Sequence, residues 1–122
     1  MVTNVTSFGR SGLADWVVQR VSAVILAAYT LFLVFWFLQQ PEVQYAQWLA
    51  LFESTGMRIF SLLALLSLIA HAWVGVWTIT TDYLTPLSLG KAATAVRFVV
   101  QCACMVALFV YLVWGIDILW GN

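Results

Sequence analysis

The sequence predicts an all-α membrane protein built from three transmembrane helices. Of its 122 residues, 64% are hydrophobic and only 8% are charged. The mean hydropathy is +0.99. Soluble domains carry roughly 25% charged residues, so this chain could not cover its own surface in water. Its apolar residues fall into three runs of about 18 to 23 residues, close to the ~20 that a helix needs to cross a bilayer core. In lipid the backbone has to satisfy its own hydrogen bonds, so each run is read as a helix.

The first run is 21–38, extendable back through Trp16. The second is 59–79, and the third is 98–120, interrupted by Gln101 and Asp117. The spans are therefore placed at about 17–38, 59–79 and 97–119 of one domain, 1–122. Trp16, Trp36, Trp48, Trp77, Trp114 and Trp120 lie near run ends or in connections, as interfacial anchors do. The first connection, 39–58, holds Pro41, Glu42, Glu53 and Gly56, and its aromatic middle, 45–52, is expected in the interface. The second, 80–97, holds Asp82, Pro86, Gly90, Lys91 and Arg97. The polar segment 1–15 and the length of the first run do not read as a signal peptide, so the helices themselves direct insertion.

Five basic and five acidic residues give zero net charge, and no basic run points to nucleic acid. Arg10, Arg20, Lys91 and Arg97 flank one side of the membrane and only Arg58 the other. Positive residues favour the cytoplasm, which puts the N-terminus inside and the C-terminus outside. Cys102 and Cys104 are two apart and face different ways on a helix, so they read as small apolar residues rather than a disulfide or metal clamp. Three helices enclose little interior, which suits a unit that packs against other subunits.

His71 is the single histidine and falls within the second helix. An ionisable side chain in the membrane is costly and marks a functional site by default. A lone imidazole there suits proton relay or metal ligation, and neutral imidazole is the usual axial ligand of b-type haem. Gly75 is one turn on along the same face, where it would let a flat macrocycle approach; Ala72 and Ser67 keep the surroundings small. The plainer alternative is a histidine bonded to a neighbouring helix, with Gly75 as a packing glycine. A second histidine ligand would have to come from another chain, placing the haem at a subunit interface. His71 would then sit in the cytoplasmic half of the bilayer.

Arg20 either snorkels to headgroups or neutralises a haem propionate. Tyr83 could donate a hydrogen bond to a quinone carbonyl, with Asp82 orienting an arginine or assisting proton delivery; otherwise the two are an interfacial tyrosine and a solvated aspartate. Asp117 reads as a helix-end residue, and Glu42, Glu53 and Arg58 as solvated charges.

The stretch His71-Ala72-Trp73-Val74-Gly75-Val76-Trp77, then Thr81-Asp82-Tyr83 and Pro86-Leu87, resembles the D-type membrane anchor of bacterial succinate dehydrogenase. So does the N-terminal Gly9-Arg10-Ser11-Gly12 with Asp15 and Arg20. The resemblance covers nearly the whole chain, although the third helix and first connection match only in character. It implies half of a six-helix anchor bundle, completed by a second, C-type anchor subunit. It implies one haem b shared between the anchors, with His71 as axial ligand, Gly75 packing on the haem and Arg20 near its propionates. It also implies a ubiquinone site with Tyr83 on the quinone carbonyl and Asp82 in support. An iron–sulfur subunit carrying a flavoprotein would dock on the cytoplasmic face of the bacterial inner membrane. The chain has no acid–base constellation to oxidise succinate, so it would be a non-catalytic anchor. The alternatives are a small transporter or proton-conducting homo-oligomer, with His71 and Asp82 as relay groups, and another membrane cytochrome, which would usually carry several intramembrane histidines.

Overall fold

A computed structural model describes residues 12–121. Gly9, Arg10 and Ser11, which enter the N-terminal resemblance and the charge balance, lie outside the described residues. The elements are α1 (Gly12–Gln39), α2 (Tyr45–Glu53), α3 (Thr55–Tyr83), α4 (Pro86–Leu89), a 3-10 turn (Gly90–Ala92) and α5 (Ala93–Trp120). No strand occurs among the described residues. The stretches Gly12–Gln39, Thr55–Tyr83 and Pro86–Trp120 are each long and apolar enough to cross a membrane. The all-α fold with three candidate spans is thus as expected.

Each long helix runs past the span read from hydropathy, and around α3 polar and turn residues close the ends with local bonds. Ser54 caps α3, its hydroxyl accepting the Met57 backbone N–H at 3.3 Å. Pro86 occupies the first turn of α4, where its missing N–H costs nothing. Gly90 then adopts φ +64°, a conformation that suits glycine, and the chain reverses into α5. In the first connection, the aromatic segment forms α2, whose Trp48 stacks on Phe37 at 5.2 Å and meets Phe52 edge-on at 4.5 Å. Cys102 and Cys104 are free, half-buried thiols.

Helix α3 is central and packs along both α1 and α5. Paired residues give the antiparallel register: Ser22 with His71 and Tyr29 with Ser61 across α1–α3, and Gln101 with Thr80 across α5–α3. Helices in lipid gain little from burying apolar surface on one another, so small residues and polar ties set their packing. Here the buried set includes Ser22, Ser61, Ser67, Thr80 and Gln101 beside Ala64, Val74 and Ala93. In the apolar spans, 22% of α3 is buried but only 6% of α1 and of the third span. Most apolar surface on the flanking helices therefore faces outward, where lipid or another helix must cover it.

Candidate functional site

His71 is half-buried near the middle of α3. Its Nδ1 lies 3.0 Å from the hydroxyl of Ser22, which is buried on α1. The Ser22 hydroxyl also reaches the Gln19 carbonyl at 3.2 Å, one turn back on its own helix. No hydrogen bond to the other ring nitrogen, Nε2, occurs among the described residues. The alternative of a histidine bonded to a neighbouring helix therefore holds for one nitrogen only.

One turn along α3, Gly75 lines an open cleft of about 460 Å³ with Asp15, Trp16, Gln19, Arg20 and Thr78. A methyl group built on Gly75 would meet nothing nearer than Gln19 Nε2, at 4.0 Å. Packing between α1 and α3 therefore does not require glycine at this position. Gly115 behaves in the opposite way. A methyl there would come within 2.6 Å of Leu65 Cδ2, so the end of the Leu65 side chain would have to turn aside to admit it.

Arg20 is exposed, with its guanidinium 5.1 Å from the centre of the Trp16 ring. It makes no ion pair or hydrogen bond with another described residue. The cleft thus joins Gly75 to a cation whose donors have no hydrogen-bond partner among the described residues. His71, one turn away, presents a nitrogen with none among them either. This chemistry fits one side of a haem b site: an imidazole ligand, a gap beside the helix, and a guanidinium suited to a carboxylate.

Tyr83 and Asp82 end α3 and are exposed; Tyr83 keeps 72% of its accessible surface. They do not line the cleft, and Tyr83 is eight positions beyond Gly75, roughly 12 Å along the axis. Their backbone is anchored nonetheless. Ser88 donates to the Tyr83 carbonyl at 2.9 Å, and Arg97 on α5 donates through Nε and Nη2 to the Leu84 carbonyl at 3.2 and 2.8 Å. Sequence reasoning missed Ser22, Gln19 and the grip of Arg97 on this turn. Ser22 carried a readable signal, because a hydroxyl inside an apolar run seeks a bond across helices.

Comparison with known proteins finds relatives over nearly the whole chain. The family described as "Succinate dehydrogenase/Fumarate reductase transmembrane subunit" matches residues 3–112. A protein of Coxiella burnetii (strain RSA 493 / Nine Mile phase I), "Succinate dehydrogenase hydrophobic membrane anchor subunit", is 36% identical over 111 residues, covering 91% of this chain and 90% of the relative.

Proposed function

The chain belongs to the succinate dehydrogenase/fumarate reductase transmembrane subunit family, and from that premise we propose that it is the D-type anchor of a succinate:ubiquinone oxidoreductase in a bacterial inner membrane. It forms half of a six-helix bundle with a C-type anchor. It docks the iron–sulfur subunit, and through it the flavoprotein, on the cytoplasmic face. The N-terminus lies in the cytoplasm and the C-terminus in the periplasm. Family membership favours this reading over a proton-conducting homo-oligomer.

The observation that carries it is the state of His71: half-buried in a candidate membrane span, tethered through Nδ1, and without a partner on Nε2 among the described residues. Nε2 serves as this chain's ligand to a haem b shared with the second anchor. Gly75 leaves room for its face, and Arg20 holds a propionate. When bound, the haem supplies a one-electron reservoir beside the quinone.

Succinate is oxidised on the soluble subunits, and ubiquinone takes up two electrons and two protons to become ubiquinol. At this site the chain binds and orients. The Tyr83 hydroxyl donates to a quinone carbonyl, and Asp82, exposed to water, supports proton delivery to it. The second anchor supplies the opposite wall, which suits the exposure of both residues.

The test is the visible spectrum and subunit content of the complex purified through this chain. A flavoprotein, an iron–sulfur protein and a b-type spectrum that is lost or displaced in His71→Ala are expected. A wild-type complex without haem, or an unchanged spectrum in the variant, refutes the ligand role.

A further inference from the structure

We infer that Ser22 is a positioning residue that fixes the tautomer of His71 and, through it, the electron affinity of the haem; this rests on the ligand role proposed for His71. The argument starts from the two bonds of one hydroxyl. Ser22 Oγ has a single hydrogen, and two groups lie within reach of it: the Gln19 carbonyl at 3.2 Å and His71 Nδ1 at 3.0 Å. A carbonyl oxygen can only accept, so both contacts are hydrogen bonds only when the hydroxyl hydrogen goes to Gln19. The lone pairs of Ser22 Oγ then face the imidazole, and Nδ1 must be the donor. A neutral ring carries one hydrogen, so Nε2 is left with a bare lone pair. That is the nitrogen with no partner among the described residues, and the form a metal requires.

The reverse arrangement, with Ser22 donating to Nδ1, would leave the Gln19 carbonyl without this bond and put a hydrogen on Nε2, where it blocks ligation. Only the first arrangement uses both contacts. Ser22 is also buried, at 4% exposure, so water does not readily replace it as acceptor. Outer hydrogen bonds of this kind orient a ligating imidazole and raise its basicity. A more basic ligand favours ferric over ferrous iron. Removing the acceptor therefore shifts the haem toward the reduced form at any fixed potential.

The test uses the intact complex, with Ser22→Ala, Ser22→Cys and Ser22→Thr. Two properties are read: the haem midpoint potential by redox titration, and the ferric low-spin g-values by electron paramagnetic resonance. Alanine removes the acceptor. Cysteine keeps much of the bulk but accepts weakly. Both are expected to raise the midpoint, so that the ferrous-to-ferric ratio at fixed potential rises severalfold, and to displace the g-values. Threonine keeps the hydroxyl and restores both properties. Should alanine fail to retain haem, the cysteine and threonine pair carries the same comparison. Wild-type potential and g-values in alanine and cysteine overturn the role of Ser22 while leaving His71 as ligand. A displaced threonine variant also overturns it, since bulk rather than the hydroxyl would be responsible. A wild-type complex without haem overturns the ligand role and this inference together.

Discussion

Gln101 Nε2 on α5 donates to Thr80 Oγ1 on α3 across 2.6 Å, and Gln101 is fully buried. The Thr80 hydroxyl in turn donates to the Trp77 carbonyl at 3.0 Å. The tie is directional, and its loss from the glutamine side strands no donor. Ties of this kind in membrane bundles contribute about 0.6 to 2 kcal/mol. Gln101→Ala removes both the bond and the bulk, and is expected to destabilise the subunit by about 2 to 3 kcal/mol. Gln101→Leu keeps the bulk and removes Gln101 Oε1, which is buried without a partner. It is expected to remain within about 1 kcal/mol of wild type. Thermal dissociation of the purified complex separates the two: a clear drop in Tm for alanine and a small change for leucine.

The two helix-interior glycines on α3 and α5 make opposite predictions. Gly115→Ala presses a methyl against the end of the Leu65 side chain, which must turn aside, and is expected to cost at most about 1 kcal/mol of bundle stability, with haem content per folded complex unchanged. Gly75→Ala meets only open space within the chain and leaves stability nearly unchanged, yet it fills the gap proposed for the haem. Haem content measured per folded complex is expected to fall. A Gly75→Ala complex with full haem and a wild-type spectrum assigns that glycine no part in the site.

Much of the fold was legible in the sequence because hydrocarbon leaves a spanning chain few options. Apolar runs of bilayer length give helices, and Pro41, Pro86 and Gly90 mark the breaks between them. Helix ends were less legible. Hydropathy stops at the last apolar residue, whereas Ser54 and the Pro86 turn hold helical structure further out. His71 stood out as the single ionisable group deep in a span. Its tether to Ser22 did not, because the two are 49 positions apart and their pairing depends on the α1–α3 register. Tyr83 and Asp82 were legible as residue types, but the role proposed for them is not, because both stay exposed in this chain and no side-chain partner among the described residues singles them out.

Tyr83→Phe keeps the ring and removes the hydroxyl alone. Because Tyr83 is 72% exposed and its side chain makes no hydrogen bond among the described residues, the fold is expected to be unaffected. Loss of one hydrogen bond to the quinone carbonyl corresponds to about a tenfold fall in kcat/KM for quinone reduction. Succinate oxidation with a soluble dye acceptor is expected to stay at the wild-type level. Equal loss of both activities, or of neither, contradicts the role given to Tyr83.

The charge asymmetry predicts topology. Arg20, Lys91 and Arg97 fall at the end of the bundle where α1 and α5 begin and α3 finishes, whereas Arg58 is in the first turn of α3 at the other end. Alkaline phosphatase fused after Asn122 is expected to be active, because it folds only outside the cytoplasm, and a fluorescent protein at the same point to be dark. The opposite pair of results inverts the bundle and moves Tyr83 and Asp82 to the face away from the soluble subunits.

Arg97 links that predicted topology to the proposed quinone site. It is one of the basic residues at the end of the bundle expected to face the cytoplasm, and it also grips the Leu84 carbonyl through Nε and Nη2, directly after Tyr83. A lysine keeps the charge but, as a point donor, cannot reproduce the two-pronged grip. Arg97→Ala removes the grip altogether, while Arg20 and Lys91 remain to hold the orientation. Freed from α5, the turn carrying Tyr83 samples more positions, and binding weakens without any change at the hydroxyl. The expected result is a KM for quinone raised about tenfold in alanine and about threefold in lysine, with kcat retained at saturating quinone. Steady-state kinetics with a short-chain quinone measure this directly. A fall in kcat with unchanged KM would place Arg97 in the chemistry rather than in the support of the turn.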